Sequence, residues 1–145
     1  MSKKSNKELA KDILNSEIAA LKRTSKLLDS KFERACEAIL SNKGKVITLG
    51  VGKSSFIAMK MAATLSSTGT AALFLHPLDA LHGDVGVIKK NDVVIIYSNS
   101  GETQEVIKLL PLLKLLKCCI ISITGKLTSS LARYSTIALN LSLIH

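Results

Sequence analysis

The sequence predicts an α/β fold, a doubly wound parallel sheet with a flavodoxin-like three-layer arrangement, preceded by a helical segment. From Lys45 onward, short apolar runs alternate with helical patterns through short loops, as in parallel sheets covered on both faces. The 145 residues are 47% hydrophobic and 21% charged, which suits one domain with a buried core. We therefore expect a helical segment at residues 1–44, packing on an α/β domain at residues 45–145.

The N-terminal segment has helical periodicity over residues 5–41, in two pieces. Its apolar positions recur near every 3.6 residues: Leu9, Ile13, Ile18 and Leu21, then Ala35, Ala38 and Ile39. Asn42 and Gly44 mark the end of the second piece, since both residue types are common after helices. This pattern favours an amphipathic hairpin used for packing or oligomerisation.

Five apolar runs predict strands at residues 46–49, 71–75, 93–96, 118–123 and 136–141. Helical patterns between them predict helices at residues 54–67, 103–117 and 129–134. Pro111 should kink the 103–117 helix or shorten its first half, because proline lacks an amide hydrogen. Ligands of parallel sheets bind beyond the carboxyl ends of the strands, where the loops after the first three runs lie.

The loop after the 93–96 run, SNSGET at residues 98–103, carries short hydroxyl and amide side chains. Gly101 allows a sharp turn, and Thr103 can cap the following helix. Hydroxyls and free N–H groups at a helix N-terminus suit a phosphate or a similar anion. An ordinary strand–turn–helix connection with a good cap fits the same residues.

Two further loops carry candidate chemistry. GVGKSS at residues 50–55 places Lys53 near an anion, but it is no Walker A loop, because Ile47 stands where that motif needs glycine. HPLDALHGDVG at residues 76–86 combines two histidines and two carboxylates, His76, His82, Asp79 and Asp84. Their combination favours a chemical role over a purely structural one. The spacing matches no standard zinc signature, and we predict no metal site.

Composition argues against several classes of protein. The net charge of +9 is spread along the chain, and with 3% aromatic residues there is no stacking platform for nucleic-acid bases. The most apolar stretch, residues 109–123, is interrupted by a proline and two lysines, so we predict no membrane span. The N-terminus has no signal-peptide pattern, and we expect a cytoplasmic protein. We expect Cys36, Cys118 and Cys119 to be structural.

Several segments together resemble a known family: LGVGKSS, AATLSSTGTAALFLHPLDALHGDVGVI and IIYSNSGETQEVIKLLPLLK. They are similar to the sugar isomerase (SIS) domain of arabinose-5-phosphate isomerases, and the similarity covers nearly the whole chain. The SNSGET loop marks the wider SIS class, whereas the HPLDALHGDVG run combined with GKS and STGT is more specific. The resemblance implies a homo-oligomeric enzyme that needs no cofactor. It would interconvert D-ribulose 5-phosphate and D-arabinose 5-phosphate for synthesis of the lipopolysaccharide sugar Kdo.

The resemblance also implies roles for individual residues. Catalysis is implied for His82, Glu105 and Lys53. Binding of the substrate phosphate is implied for Ser98, Asn99, Ser100, Thr103 and Ser54. The remaining substrate pocket is implied for Gly52, His76, Asp79, Gly83 and Asp84. The residue types suit an enediol reaction, which needs a base and a group that stabilises an oxyanion.

Two departures from the family pattern favour an alternative, a non-catalytic or degraded SIS module that binds sugar phosphates in a regulatory role. Ser55 and Phe56 follow GKS where the family has glycine and a polar residue, and the extra side chain should crowd the loop. The family continues into a further histidine loop, a covering helix and a CBS domain pair, which residues 142–145 do not resemble. We therefore expect an incomplete domain, present as a fragment or dependent on a partner.

Overall fold

The core of the protein is a five-stranded parallel sheet with strand order β2-β1-β3-β4-β5. A computed structural model describes residues 4–141. The strands are β1 (Val46–Gly50), β2 (Ala72–Phe74), β3 (Val93–Tyr97), β4 (Cys119–Thr124) and β5 (Ile137–Asn140). This order, with β1 next to both β2 and β3, is the flavodoxin-like order, so the predicted fold class is confirmed.

The helices are α1 (Asn6–Leu27), α2 (Ser30–Leu40), α3 (Lys53–Ser67), α4 (Pro77–Leu81), α5 (Gln104–Leu116) and α6 (Ser130–Tyr134). A short 3₁₀ helix covers Asp84–Val87. Within residues 4–141, no helix is both long and apolar enough to cross a bilayer.

Alternate residues of the central strands enter two separate apolar cores, as strand geometry requires. Val94 and Ile96 of β3 face α4, α5 and α6, whereas Val93 and Ile95 face α2 and α3. The central strands are buried on both faces, which explains why β1 and β3 have continuous apolar sequences. The result is a three-layer sandwich whose loops meet at two opposite edges.

The two N-terminal helices differ in how they contact the sheet. Ala35 of α2 is buried, and α2 packs against β5. No residue of α1 is buried, and its apolar side chains are exposed, with Leu21 at 70% of its maximal accessibility. Only the C-terminal part of α1 has partly buried side chains, at Ala20, Arg23 and Thr24, so the packing of residues 1–44 on the domain stays a prediction.

Local structure departs from the sequence predictions at two places. Helix α5 continues through Pro111, with buried Leu109, Leu110 and Leu113 on either side of the proline, so its first half is not shortened. The 76–86 run, expected as a loop, contains α4, which has Pro77 in its first turn, where a missing N–H costs nothing. We expected residues 142–145 to differ from the family's continuation, but these residues lie outside the part of the chain that the structure describes.

The cysteines behave as expected for structural residues. Cys36, Cys118 and Cys119 are free thiols, and Cys118 is buried. Burial raises the pKa of the Cys118 thiol to about 11, which keeps it protonated and unreactive near neutral pH.

Candidate functional site

The candidate site lies at the carboxyl edge of the sheet, around the point where the chain direction reverses. From β1 the sheet grows towards β2 on one side and towards β3 on the other. The connections that leave β1 and β3 therefore diverge and open a crevice between them. The loops after β2, β1 and β3 carry all of the residues that the sequence singled out, and these three strands are neighbours.

The loop at residues 98–103, hereafter the hydroxyl loop, is organised by the side chain of Ser98. Ser98 is buried, and its Oγ lies 2.8 Å from Oγ1 of Thr103. The Gly101 N–H donates to the same Ser98 Oγ at 3.1 Å. Thr103 occupies the N-cap position of α5 but makes no capping bond, so the predicted cap is wrong. The first amides of α5 are consequently left without a side-chain acceptor.

Contacts with the residues at the start of α6 hold the hydroxyl loop in place. Gly101 has a positive φ of 65°, and a Cβ atom there would collide with the Ser129 side chain. The Gly101 carbonyl accepts from Leu131 N at 3.1 Å, and the Glu102 carboxylate accepts from Ser130 N at 2.7 Å. The hydrogen bond from the Ser130 amide lowers the pKa of Glu102. Glycine is thus required here by both conformation and space.

Three polar side chains of the hydroxyl loop remain exposed, those of Asn99, Ser100 and Glu102. The backbone of Asn99 is fixed, since its carbonyl accepts from Gly125 N at 2.9 Å and from Thr124 Oγ1 at 3.2 Å. The Ser100 hydroxyl accepts from Glu102 N at 3.2 Å and keeps its own proton for a ligand. A rigid loop therefore presents a serine, an amide and the N-terminus of α5 on one surface.

The loop after β1 reaches the same crevice through the N-terminus of α3. Gly52 has a φ of 58°, and α3 begins at the next residue without a side-chain cap. Lys53 is exposed and Ser54 is half-buried. The Ser55 hydroxyl turns inward and donates to the Gly52 carbonyl at 2.6 Å, so its polar atom is bonded within the loop. Crowding of the loop by Ser55 stays a prediction.

A cavity of about 150 Å³ joins these two loops. Three of the predicted residues line it: Ser54, Ser98 and Asn99. Sequence reasoning missed the others, which are Ile57, Tyr97, Ile123, Thr124, Gly125 and Leu141. The signal that could have found several of them is position, because Tyr97 and Thr124 end neighbouring strands. Burial raises the pKa of the Tyr97 phenol, which leaves it neutral at the cavity wall.

The residues at 76–84, hereafter the histidine segment, lie outside that cavity. His76 Nδ1 accepts from Leu78 N at 3.2 Å and caps α4, so this ring has a structural function. Helix α4 packs against α5, whose first turn carries the half-buried Glu105. His82, Gly83, Asp79 and Asp84 are all exposed. The structure therefore places His82 at the correct edge of the sheet but not on a closed pocket.

Metal binding finds no support in the side chains. Over the range 4–141, no group of three His, Cys, Asp or Glu residues lies close enough together to hold an ion. The chemistry available at this edge is that of hydroxyls, amides, ammonium groups, imidazoles and carboxylates.

The amino-acid sequence of this chain is similar to those of known proteins. Residues 39–143 match the SIS domain family. The chain is 52% identical to arabinose 5-phosphate isomerase KdsD of Francisella tularensis over 128 residues, covering 86% of this chain and 39% of the relative. It is 50% identical to KdsD of Pseudomonas aeruginosa over 77% of this chain and 34% of that protein. The chain thus spans well under half the length of the curated relatives it matches.

A solved structure agrees in both sequence and fold. A protein of Escherichia coli CFT073, determined in complex with arabinose 5-phosphate, superposes with a TM-score of 0.83 at 40% identity. The match covers 97% of this chain and 77% of that one. The resemblance inferred from the motifs is confirmed: this chain belongs to the SIS domain family.

Proposed function

We propose that the chain is the phosphosugar-binding and catalytic domain of an arabinose 5-phosphate isomerase. It would interconvert D-ribulose 5-phosphate and D-arabinose 5-phosphate in the cytoplasm and supply Kdo synthesis. The proposal rests on the structure of the hydroxyl loop. The hydrogen bond between the Ser98 and Thr103 hydroxyls leaves the N-terminus of α5 without a side-chain cap, next to the cavity. The names of the KdsD relatives and the sugar phosphate bound to the Escherichia coli protein support the choice of substrate.

The phosphate of the substrate would be held by the hydroxyl loop and the two uncapped helix N-termini. Ser98, Asn99, Ser100 and Thr103 supply hydroxyl and amide groups, and Ser54 adds one from α3. The helix dipoles of α3 and α5 favour a dianion at this position. Binding energy from this distant group would orient the reacting carbons, which raises the rate as well as the affinity.

The isomerisation would transfer one proton between neighbouring carbons. A base removes a proton from C1 of ribulose 5-phosphate, and the electrons form a C1–C2 enediolate with its negative charge on O2. Return of the proton to C2 and transfer of the O1 proton to O2 yield the aldose. We assign His82 or Glu105 as the base and Lys53 as the cation near the developing oxyanion. Gly52, His76, Asp79, Gly83 and Asp84 would shape the pocket around them.

We propose that a second copy of the chain completes the site, and the exposure of the histidine segment supports this. Expulsion of bulk water strengthens the electrostatic interactions that stabilise an enediolate, yet His82 and its neighbours are open to solvent here. Helix α1 offers an unburied apolar stripe for association, including Ile13 at 63% exposure and Leu21 at 70%. We propose a homo-oligomer that covers both surfaces. A fully active chain that remains monomeric in light scattering at assay concentration would contradict this.

The test of the proposed function is turnover by the 1–145 chain. D-Ribulose 5-phosphate is added, and formation of the aldose is followed by NMR in D₂O, where solvent deuterium should appear at C2. Lys53→Ala should reduce the rate by about 10²-fold or more, because it removes the cation near the oxyanion. Lys60→Ala, which changes an exposed lysine of the same helix, should leave the rate unchanged.

The regulatory alternative predicts a different result in the same preparation. If D-arabinose 5-phosphate raises the melting temperature but no aldose forms from the ketose, the chain is a sugar-phosphate-binding module without turnover. If neither sugar phosphate binds, both versions of the proposal fail.

A further inference from the structure

The amino edge of the sheet, opposite the candidate active site, carries a second set of polar residues. A groove of about 760 Å³ lies there, within the size range of small-molecule sites. It is formed by the loops that lead into β1, β3, β4 and β5. Three of these loops each contribute one exposed lysine: Lys43, Lys90 and Lys117. We call this the lysine groove.

One buried carboxylate fixes the three lysine-bearing loops relative to one another. Asp92 is 2% exposed and accepts from Lys45 N at 2.9 Å, Lys45 Nζ at 2.8 Å and Lys89 N at 2.7 Å. The Asp92 carbonyl accepts from Cys119 N at 3.2 Å, which ties in the third loop. The lysines therefore stand on a preorganised framework and not on independent surface loops.

The charge of the groove is uncompensated. Asp92 is the lone carboxylate among the lining residues, and its charge is neutralised by the ion pair with Lys45. Among residues 4–141, neither Lys43, Lys90 nor Lys117 takes part in an ion pair. Three ammonium groups around one polar hollow create a positive potential that attracts a multiply charged anion.

The backbone at Lys117 is a second indication that a side chain is required here. Lys117 has a φ of 56° and a ψ of 30°, the one positive φ outside glycine within residues 4–141. It follows the last residue of α5, where left-handed backbone is normally supplied by glycine. A lysine at this position breaks a local rule, and such departures are concentrated at functional positions.

We propose that the lysine groove binds a small anion carrying two or more phosphate groups, at a site separate from the sugar-phosphate site. The three lysines would contact the phosphate oxygens, and polar side chains such as Asn42, Asn91 and Thr136 would add hydrogen bonds. The proposal does not depend on the isomerase activity, because the two sites lie at opposite ends of the strands.

The test uses the 1–145 chain and inorganic triphosphate as the probe, with binding measured by calorimetry. Saturable binding that weakens as salt is raised is expected. The single changes Lys43→Ala, Lys90→Ala and Lys117→Gly should each weaken it about three- to tenfold, and the triple change should abolish it. Lys117→Gly should also raise the melting temperature, because it relieves the left-handed lysine, so its weaker binding cannot result from unfolding.

Two control variants locate the probe. Lys60→Ala should leave triphosphate binding unchanged. Lys53→Ala, at the other edge of the sheet, reports whether the probe occupies the proposed sugar-phosphate site instead. The proposal is overturned if no saturable binding occurs, if the triple variant binds as the unchanged chain does, or if Lys53→Ala alone removes binding. It is equally overturned if an oligonucleotide binds through the same lysines more tightly than triphosphate, since the groove would then be a nucleic-acid surface.

Discussion

The hydroxyl loop and the histidine segment lie at the same edge of one sheet, yet they are built in different ways. The hydroxyl loop is tied to β4 and α6 through Ser98, Gly101 and Glu102, and its conformation is complete within one chain. The histidine segment has its own short helix, but His82 makes no side-chain hydrogen bond within the described residues and is open to solvent. If the proposed function holds, a single chain would suffice to bind the anion, whereas proton transfer would need further cover over the histidine segment.

The largest effect is expected from His82→Ala. Removing the proposed base should lower kcat by about 10²- to 10⁴-fold. Because the side chain is exposed, the free energy of unfolding in urea should change by less than about 0.5 kcal/mol. His76→Ala is the matched control: it removes the cap of α4, should cost about 1 kcal/mol of stability and should affect turnover less. Full turnover by His82→Ala would show that the base lies elsewhere.

The second-largest effect is expected from alanine substitution of two glycines, one in the hydroxyl loop and one in the histidine segment. Gly101→Ala should destabilise the fold by about 3 kcal/mol, since a Cβ collides with Ser129 in a left-handed backbone. At Gly83 the φ of 126° is also unfavourable, but no atom lies within 4 Å of the added Cβ. Gly83→Ala should therefore cost about 1 to 2 kcal/mol by urea denaturation. If both substitutions lowered the free energy of unfolding equally, the hydroxyl loop would be no more rigid than the histidine segment.

Both segments depend on a sheet that Asp92 stabilises from the opposite edge. Burial by itself would raise the pKa of Asp92, but hydrogen bonds from the Lys45 ammonium and from the Lys45 and Lys89 amides outweigh it, and the pKa is lowered. A lowered folded pKa contributes stability above the unfolded pKa of about 4, and this is lost as pH falls through the folded value. Asp92→Asn should cost about 2 kcal/mol at neutral pH and should flatten the acid limb of the stability curve. An unchanged acid limb would exclude Asp92 as the titrating group.

The smallest effect is expected from Ser100→Ala. This exposed hydroxyl makes one local hydrogen bond, so stability should hardly change. Loss of one hydrogen bond to the phosphate should weaken binding of the sugar phosphate by about 1 kcal/mol and raise KM more than it lowers kcat. Ser98→Ala should lower both affinity and stability, because Ser98 is buried and holds the loop together. A KM unchanged by Ser100→Ala would remove this residue from the phosphate site.

Much of the fold was predictable from local pattern. The strands were found because β1 and β3 are buried on both faces and consist of apolar residues throughout most of their length. The shortening of α5 at Pro111 was wrongly predicted, because the free-energy cost of the proline is smaller than the gain from burying Leu109, Leu110 and Leu113 on the sheet. The cap by Thr103 was misjudged because its hydroxyl has a competing partner, Ser98, whose position depends on the turn at Gly101. Asp92 and Lys117 were missed entirely, since their roles depend on loops that are distant in sequence.

Periodicity and short motifs are local properties of the chain, so the amino-acid sequence was enough to predict the alternation of strands and helices, the family and the residue types at the carboxyl edge. Three-dimensional packing was needed to show that Ser54 and Asn99 line one cavity, that His76 is a cap and His82 is exposed, and that no residue of α1 is buried. Packing also places Lys43, Lys90 and Lys117 at one groove around Asp92. These outcomes depend on the distances between loops, which strand order and packing set.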